Sequence, residues 1–288
     1  MTGDKKMSKF SIVDSHVHLL DTNNLTYPFF SSNPHFNNKY LPADYSEHIE
    51  DINVEKIVFL ECNVLPDQAL DEAKWIESLS MKDPRIQSVV AYAELENGEK
   101  STPDLEKLSA LKIVKGIRRN ISPENDEFHI SNNFISGINL LPKYNFSFDV
   151  CLSNSQLPGT IELVKSCPNV SFILDHIGNP NILENGFEDW SKNITNLSKL
   201  PNIACKLSGV VTNADHKNWN VEDIRPYISH IIESFGFDRI LFGSDWPVVT
   251  LASSYKKWFN ALNHILGNIS QNEQQKLFVK NAEKFYKM

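Results

Sequence analysis

Residues 12–21 read IVDSHVHLLD. An apolar start followed by two imidazoles two positions apart describes a strand that leaves a core and ends somewhere polar. Strand side chains alternate, so His16 and His18 share a face, about 6–7 Å apart along the chain. Two readings stand: a packed interior that tolerates two polar rings, or a site that needs two nitrogen ligands.

Similar runs recur along the chain. SIVDSHVH (11–18) is followed by KIVFLEC (56–62), IQSVVAYAEL (86–95), IVKGIRR (113–119) and FSFDVCL (146–152). VSFILDH (170–176), IACKLSG (203–209) and RILFGSDW (239–246) complete a set of eight. Most are continuous rather than alternating, the pattern of parallel strands covered on both sides. Between them, spacing predicts helices over 66–81, 103–111, 131–144, 157–168, 221–236 and 270–288. Strands alternating with helices imply right-handed crossovers and a parallel sheet. Eight such units in 288 residues fit a closed (β/α)8 TIM barrel better than an open doubly wound sheet. No G-x-G-x-x-G or G-x-x-x-x-G-K-[ST] follows a strand, and no linker or repeat divides the chain. Residues 1–288 are therefore read as a single barrel domain.

Composition narrows the partners. The formal charge is −8 and no run of Lys or Arg stands out, which argues against nucleic acid or an anionic membrane surface. No segment reaches the ~18 uninterrupted apolar residues of a membrane span. MTGDKKMSKF (1–10) reads as a polar lead-in rather than a signal peptide. Cys62, Cys151, Cys167 and Cys205 show no C-x-x-C spacing and are expected to be free, buried thiols in a reducing cytoplasm.

The chemistry collects at strand ends. Strand 1 ends with His16 and His18, strand 6 with His176, strand 8 with Asp245. In a barrel these four meet at the C-terminal mouth, where active sites are built. Neutral imidazole nitrogens and a carboxylate oxygen suit Zn²⁺ or a similar divalent ion. Any one of the four alone is weak evidence; the set on the correct strands is specific. Arg118 and Arg119, after strand 4, are candidates for gripping a substrate oxygen, since a guanidinium recognises carboxylates and oxyanions bidentately. The alternative is a surface pair bridging a nearby Glu. Asp149 in strand 5 is expected to orient an imidazole, a lysine or a substrate hydroxyl, or to make a structural hydrogen bond. Lys206 and Ser208 in strand 7 are placed at the mouth, as substrate contacts or as filling of the barrel's top layer. Residues 20–45 are either a lid and substrate wall or a surface loop packed on its own aromatics. Trp219 is expected to add an apolar wall, and Trp246 and Pro247 to shape the last turn.

The pieces VDSHVHLLD (13–21), KGIRRN (115–120), FSFDV (146–150), CPNVSFILDHIGNP (167–180), NIACKLSGVVTNAD (202–215), FGFDRILFGSDWPV (235–248) and KNAEKFY (280–286) stand in an order that resembles the amidohydrolase superfamily. The similar branch includes sugar lactonases and 2-pyrone-4,6-dicarboxylate lactonase. The resemblance implies a (β/α)8 barrel that hydrolyses a small-molecule lactone, with His16, His18, His176 and Asp245 at the family's site positions. Some members of this branch hold one divalent ion and others work without any. Asp245 and His176 are expected to carry catalysis, with Arg118, Arg119, Asp149 and Lys206 as substrate-binding residues. Strand 5 has no histidine, so a second ion has too few ligands; Lys115, early in strand 4, is read as an end-of-strand cation. Two rival functions remain open: a metal-dependent decarboxylase of the same superfamily, and a non-catalytic barrel that binds a sugar acid.

Overall fold

A computed structural model describes residues 10–36 and 39–288, so most of the polar lead-in lies outside the described residues. Eight strands lie in chain order in one parallel sheet. They are β1 (Ile12–Val17), β2 (Val54–Leu60), β3 (Ile86–Tyr92), β4 (Val114–Arg118), β5 (Ser147–Val150), β6 (Phe172–Leu174), β7 (Ile203–Leu207) and β8 (Ile240–Phe242). The sheet closes just beyond β8, where Val17 bridges Trp246, His18 N–H donates to Trp246 O at 2.8 Å and Asp245 N–H to His16 O at 2.9 Å. This is the expected (β/α)8 barrel.

The strands are buried on both faces, which explains their continuous apolar runs. One apolar layer lies between sheet and helices, including Phe59, Phe148 and Phe172. A second fills the barrel with Val13, Val58, Leu60, Val90, Ile173, Ala204 and Leu241. Ala282 and Tyr286, near the C-terminus, close its base. Strand alternation then dictates what lies above this plug. Asp175 follows Ile173 by two residues, and Lys206 follows Ala204 by two, so both carry charge into the interior. In β1 the simple alternation breaks. Val13 belongs to the inner layer and Val17 to the outer one, and the ladder with β2 shifts register between Asp14 and Val17. That irregularity allows Val13 to pack below while His16 and His18 meet above it.

Local details depart from expectation where polar turns intervene. The run 131–144 splits into a helix at Asn132–Ile138 and a 3₁₀ turn at Leu141–Tyr144, because Pro142 removes a backbone donor. The closing run 270–288 holds a π-type turn at Lys276–Lys280, with Leu277 and Phe278 buried. Helices at Pro42–Ile49, Phe187–Leu197 and Tyr255–Leu266 were not anticipated. In the second, Trp190, Ile194 and Leu197 are buried at helical spacing, a signal diluted by the Asn, Ser and Thr around it. Residues 20–36 are no free loop: Leu20–Asp21 pairs antiparallel with Lys39–Tyr40, and Pro28–Ser32 forms a short helix over the mouth. Among the described residues no helix is long and apolar enough to cross a membrane.

Phe148 is fully buried, with the rings of Phe134 and Phe172 each 6.0 Å away. Phe148→Ala should cost about 3–5 kcal/mol of stability, measured by denaturant unfolding; a loss under 1 kcal/mol would contradict the packing.

Candidate active site

Three strand ends deliver the four expected side chains to one point. His16 and His18 leave β1 with their Nε2 atoms 3.2 Å apart. Asp245, three residues past β8, places Oδ1 at 3.6 Å from His16 Nε2 and 3.5 Å from His18 Nε2. His176, two residues past β6, has Nδ1 at 4.0 Å from Asp245 Oδ2. All four are buried.

Backbone strain is concentrated here. His176 has φ +52° and Asp245 φ +61°, left-handed values that disfavour residues other than glycine. Close packing overrides that preference. His176 Nδ1 lies 3.0 Å from Ser208 Oγ, and a Cβ on Gly209 would fall 2.4 Å from the same nitrogen. On the other side, Asp14 ties the seam together. Its Oδ1 accepts the Ser244 N–H at 2.8 Å and the His16 N–H at 3.2 Å, and its Oδ2 accepts the Tyr45 hydroxyl at 2.8 Å.

The charges are arranged in two tiers. Arg118 lines the cavity and donates from Nε to Glu61 Oε1 and from Nη2 to Glu61 O, each at 2.6 Å; its Nη1 lies 3.7 Å from Asp175. Arg119, further out, holds Glu96 at 2.8 Å and Glu124 at 2.7 Å. Beneath the histidines, Lys206 contacts Asp149 at 2.6 Å, Asp175 at 3.0 Å and His16 Nδ1 at 3.3 Å. Asp149 in turn accepts the Tyr286 hydroxyl at 2.5 Å. Asp149 and Lys206 have no exposed surface and do not line the cavity, which corrects the expectation that they touch substrate. Strand parity turns Lys206 inward with Ala204, and register sets the depth: Asp149 pairs with Ile173 and Lys206 with Leu241, both residues of the inner layer. Trp219 is displaced as well: its indole donates to Ala252 O and its ring lies under Lys257, in a separate open groove of about 740 Å³. That groove contains none of this chemistry. Lys115 is half-buried in the lower part of β4.

Burial sets the protonation states. It pushes the His18 imidazole down to about 3, helped by the charge of Arg118, and lowers His16 and His176 as well. All three rings are therefore neutral near pH 7. Burial pushes the Asp245 carboxyl up to about 6, against the pull of His176 and Arg118. Donor atoms of His16, His176 and Asp245 lie within 4.8 Å of one another, and His18 Nε2 is beside them. The interior also has charge to spare: Glu61, Asp149, Asp175 and Asp245 face two buried cations, Arg118 and Lys206. This donor set fits one divalent ion. A second group, Cys151, Asp175 and His176, is equally close. There, however, Asp175 already stands between Lys206 and Arg118, and burial pushes the Cys151 thiol up to about 12.

Several contributors escaped the sequence reading. Glu61 follows β2 in LEC and Asp175 directly precedes His176 in LDH, both buried acids at strand ends. That position is itself a signal. Tyr286 gives none, because its role depends on how the chain's end packs against the barrel base.

The cavity above this centre has a volume of about 640 Å³. Pro28, Phe29, Phe30 and Leu65 form one wall; Asn120, Ser122, Asn179 and Thr212 offer amides and hydroxyls elsewhere around it. Segment 20–36 thus lines the cavity through Pro28, Phe29 and Phe30 and also packs on its own aromatics, with the Phe29 and Phe30 ring centroids 5.1 Å apart.

Fold and site define a class: a parallel (β/α)8 barrel with a His/Asp centre at its C-terminal mouth. The chain belongs to the Amidohydrolase family, whose match runs over residues 13–288, and it is a hydrolase of that family. It is 30% identical over 199 residues to an L-fucono-1,5-lactonase of Burkholderia multivorans, covering 64% of this chain and 66% of that protein. It is 23% identical to an L-rhamnono-gamma-lactonase of Scheffersomyces stipitis, over 97% and 99% of the two chains. A crystal structure of a Burkholderia multivorans amidohydrolase with bound zinc shares the fold at TM-score 0.85 and 24% identity, covering 97% of this chain and all of the other.

Removing the Asp14 carboxylate strands two backbone N–H groups and a hydroxyl, at about 1–3 kcal/mol per buried group. Asp14→Ala should lower stability and activity together, while Asp14→Asn, which keeps an acceptor oxygen, retains most of both. Equal losses in the two variants, read by thermal unfolding and turnover, would exclude this role.

Proposed function

We propose that this protein hydrolyses an uncharged sugar lactone. The observation that carries the substrate class is the pairing of its arginines. Arg118 and Arg119 are the Lys or Arg side chains among the described residues lining the cavity, and both are already engaged by carboxylates of the chain. A substrate carboxylate would have to compete with Glu61, or with Glu96 and Glu124, for a partner. Substrate hydroxyls would meet only neutral partners: Ser122 Oγ donates to Asn120 Oδ1 at 2.8 Å, Asn179 Nδ2 to Leu152 O at 2.7 Å and Thr212 Oγ1 to Gly209 O at 2.7 Å. The Ser122 and Thr212 oxygens keep lone pairs that can accept from a sugar hydroxyl. The sugar-lactone names of the two curated relatives support the same reading.

The reaction needs a base, an oxyanion partner and a proton for the leaving group. Asp245 is the base: its carboxylate takes a proton from water as the water oxygen bonds to the lactone carbonyl carbon. The ring C–O bond then breaks, and Asp245 returns the proton to the departing oxygen. Arg118 and the imidazoles stabilise the negative charge on the carbonyl oxygen in the buried, low-dielectric mouth. Glu61 takes Nε and Nη2 of Arg118, but Nη1 is not hydrogen-bonded among the described residues. One N–H suffices for an oxyanion, whereas a carboxylate needs the fork that Glu61 occupies. A zinc ion held by His16, His18, His176 and Asp245 would polarise that carbonyl and acidify the attacking water. The carboxylate role would serve in either state. An imidazole nitrogen that holds the ion cannot also donate to the oxyanion, so the imidazoles would give that hydrogen bond only without an ion. The decarboxylase reading is weaker, because it requires a free cation for an acid substrate. The non-catalytic reading is weaker too, because all four centre residues are present and converge.

A panel assay followed by acid release tests the substrate class. Fucono-, rhamnono- and galactono-lactones should be opened at least a hundredfold more efficiently than 2-pyrone-4,6-dicarboxylate. The opposite order, or carbon dioxide release from 2,6-dihydroxybenzoate, would overturn it. Asp245→Asn should abolish turnover. The Asp245 carboxyl is raised in the folded state, so folding takes up a proton between about pH 4 and 6 and stability falls across that window. Chelated Asp245→Asn should therefore melt higher than the chelated parent at pH 8, with the gap closing at pH 4.

A further inference from the structure

Opening a lactone changes the charge of what the cavity holds. Water adds across the ring C–O bond, the resulting hydroxy acid loses a proton to solvent, and a neutral ester leaves as a carboxylate. A buried cation that steadies the oxyanion would also hold that carboxylate. The donor needed for turnover then opposes release.

The pairing of Arg118 with Glu61 separates the two demands. Glu61 follows β2 directly, and its backbone N–H donates to Val90 O at 2.9 Å. Its carboxylate is fixed at both oxygens: Oε1 accepts Arg118 Nε and Oε2 accepts the Asn63 N–H, each at 2.6 Å. Its carbonyl accepts Arg118 Nη2 at 2.6 Å. Asn63 turns back to make its bond at φ +51°, a left-handed value that a side chain disfavours. Both partners are buried, Glu61 fully and Arg118 at 3% exposure, so their charges attract strongly and are hard to part. Nη1 stays out of this hold. It makes no hydrogen bond among the described residues and lies 3.7 Å from Asp175 Oδ2. Arg118 thus keeps a free N–H donor while its charge is cancelled. Arg119 differs, because its partners Glu96 and Glu124 are 24% and 32% exposed and screened by solvent.

We propose that Glu61 is a positioning residue that cancels the charge of Arg118 and leaves Nη1 free, so that the cavity takes a neutral lactone and releases the anionic acid. An oxyanion concentrates its charge on one oxygen and is served by one directed N–H. A carboxylate spreads its charge over two oxygens and gains most from a charged fork. The product meets instead a neutralised guanidinium with the Asp175 carboxylate beside it. Glu61 acts through Arg118 and does not itself line the cavity. The inference rests on the lactone-hydrolysis part of the reading above and not on which sugar is preferred.

Calorimetric titration at pH 7 with galactonate and with galactitol, the same hydroxyl-bearing chain without a carboxylate, tests it. The readout is the ratio of the two affinities. Glu61→Gln keeps the size of the side chain and removes its charge. It should raise the galactonate-to-galactitol ratio roughly tenfold or more over wild type, and product inhibition of lactone opening should deepen to match. Glu96→Gln changes the net charge by the same amount at the rim and should leave the ratio within about threefold. An unchanged ratio in Glu61→Gln, or an equal rise in both variants, would overturn the proposal. If Glu61→Gln fails to fold, Arg118→Met combined with Glu61→Gln removes both charges and decides the matter. Its ratio should stay within about threefold of wild type. A fall of roughly tenfold or more would mean that Arg118 grips the carboxylate in wild type, and would overturn the proposal. Lactone turnover by the wild type reports separately on the reading itself.

Discussion

The arrangement depends on how the barrel is closed. Between β8 and β1 the regular ladder is replaced by one bridge, two backbone hydrogen bonds beyond the strand end, and the carboxylate of Asp14. A side chain does there what backbone pairing does between the other strands. It binds Ser244 on one side and His16 on the other, so closing the sheet and placing two of the four centre residues are one physical event. Ser15 adds a second tie across the same seam, donating to Phe242 O at 2.6 Å.

A second constraint is the burial of many ionisable groups in so small a space. An unpaired charge in a protein interior is costly, and a pair is tolerated when its geometry satisfies both partners. Here Arg118 is matched by Glu61, and Lys206 by Asp149 and Asp175. Asp245 is left without a full counter-charge, which is why burial raises its carboxyl into the range useful for a base. Asp14 and Glu72 are buried acids raised in the same way, so a raised carboxyl alone does not single out Asp245; its place on the cavity wall does.

Much of this was legible in the sequence. The eight apolar runs gave the strands because parallel strands buried on both faces must be continuously apolar. The strand-end histidines and Asp245 gave the centre because barrel topology sends all strand ends to one mouth. The depth of Asp149 and Lys206 was harder to read. Strand parity says that a side chain points inward, but not at which layer, and these two lie one layer below the cavity. The internal pairing of Arg118 and Arg119 was equally hidden, since their partners Glu61, Glu96 and Glu124 come from other segments. Irregular elements were missed where Asn, Ser and Thr diluted a sparse apolar stripe, as in Phe187–Leu197.

The plug at the barrel base has a bearing on how the molecule is made. Tyr286 reaches the interior from the final helical turns and holds Asp149, which holds Lys206, which touches His16. The first and last portions of the described chain therefore support one His/Asp centre. A polypeptide that already holds the four centre residues but has not yet packed the segment around Tyr286 lacks the floor beneath them, so the centre is complete only when that segment has docked.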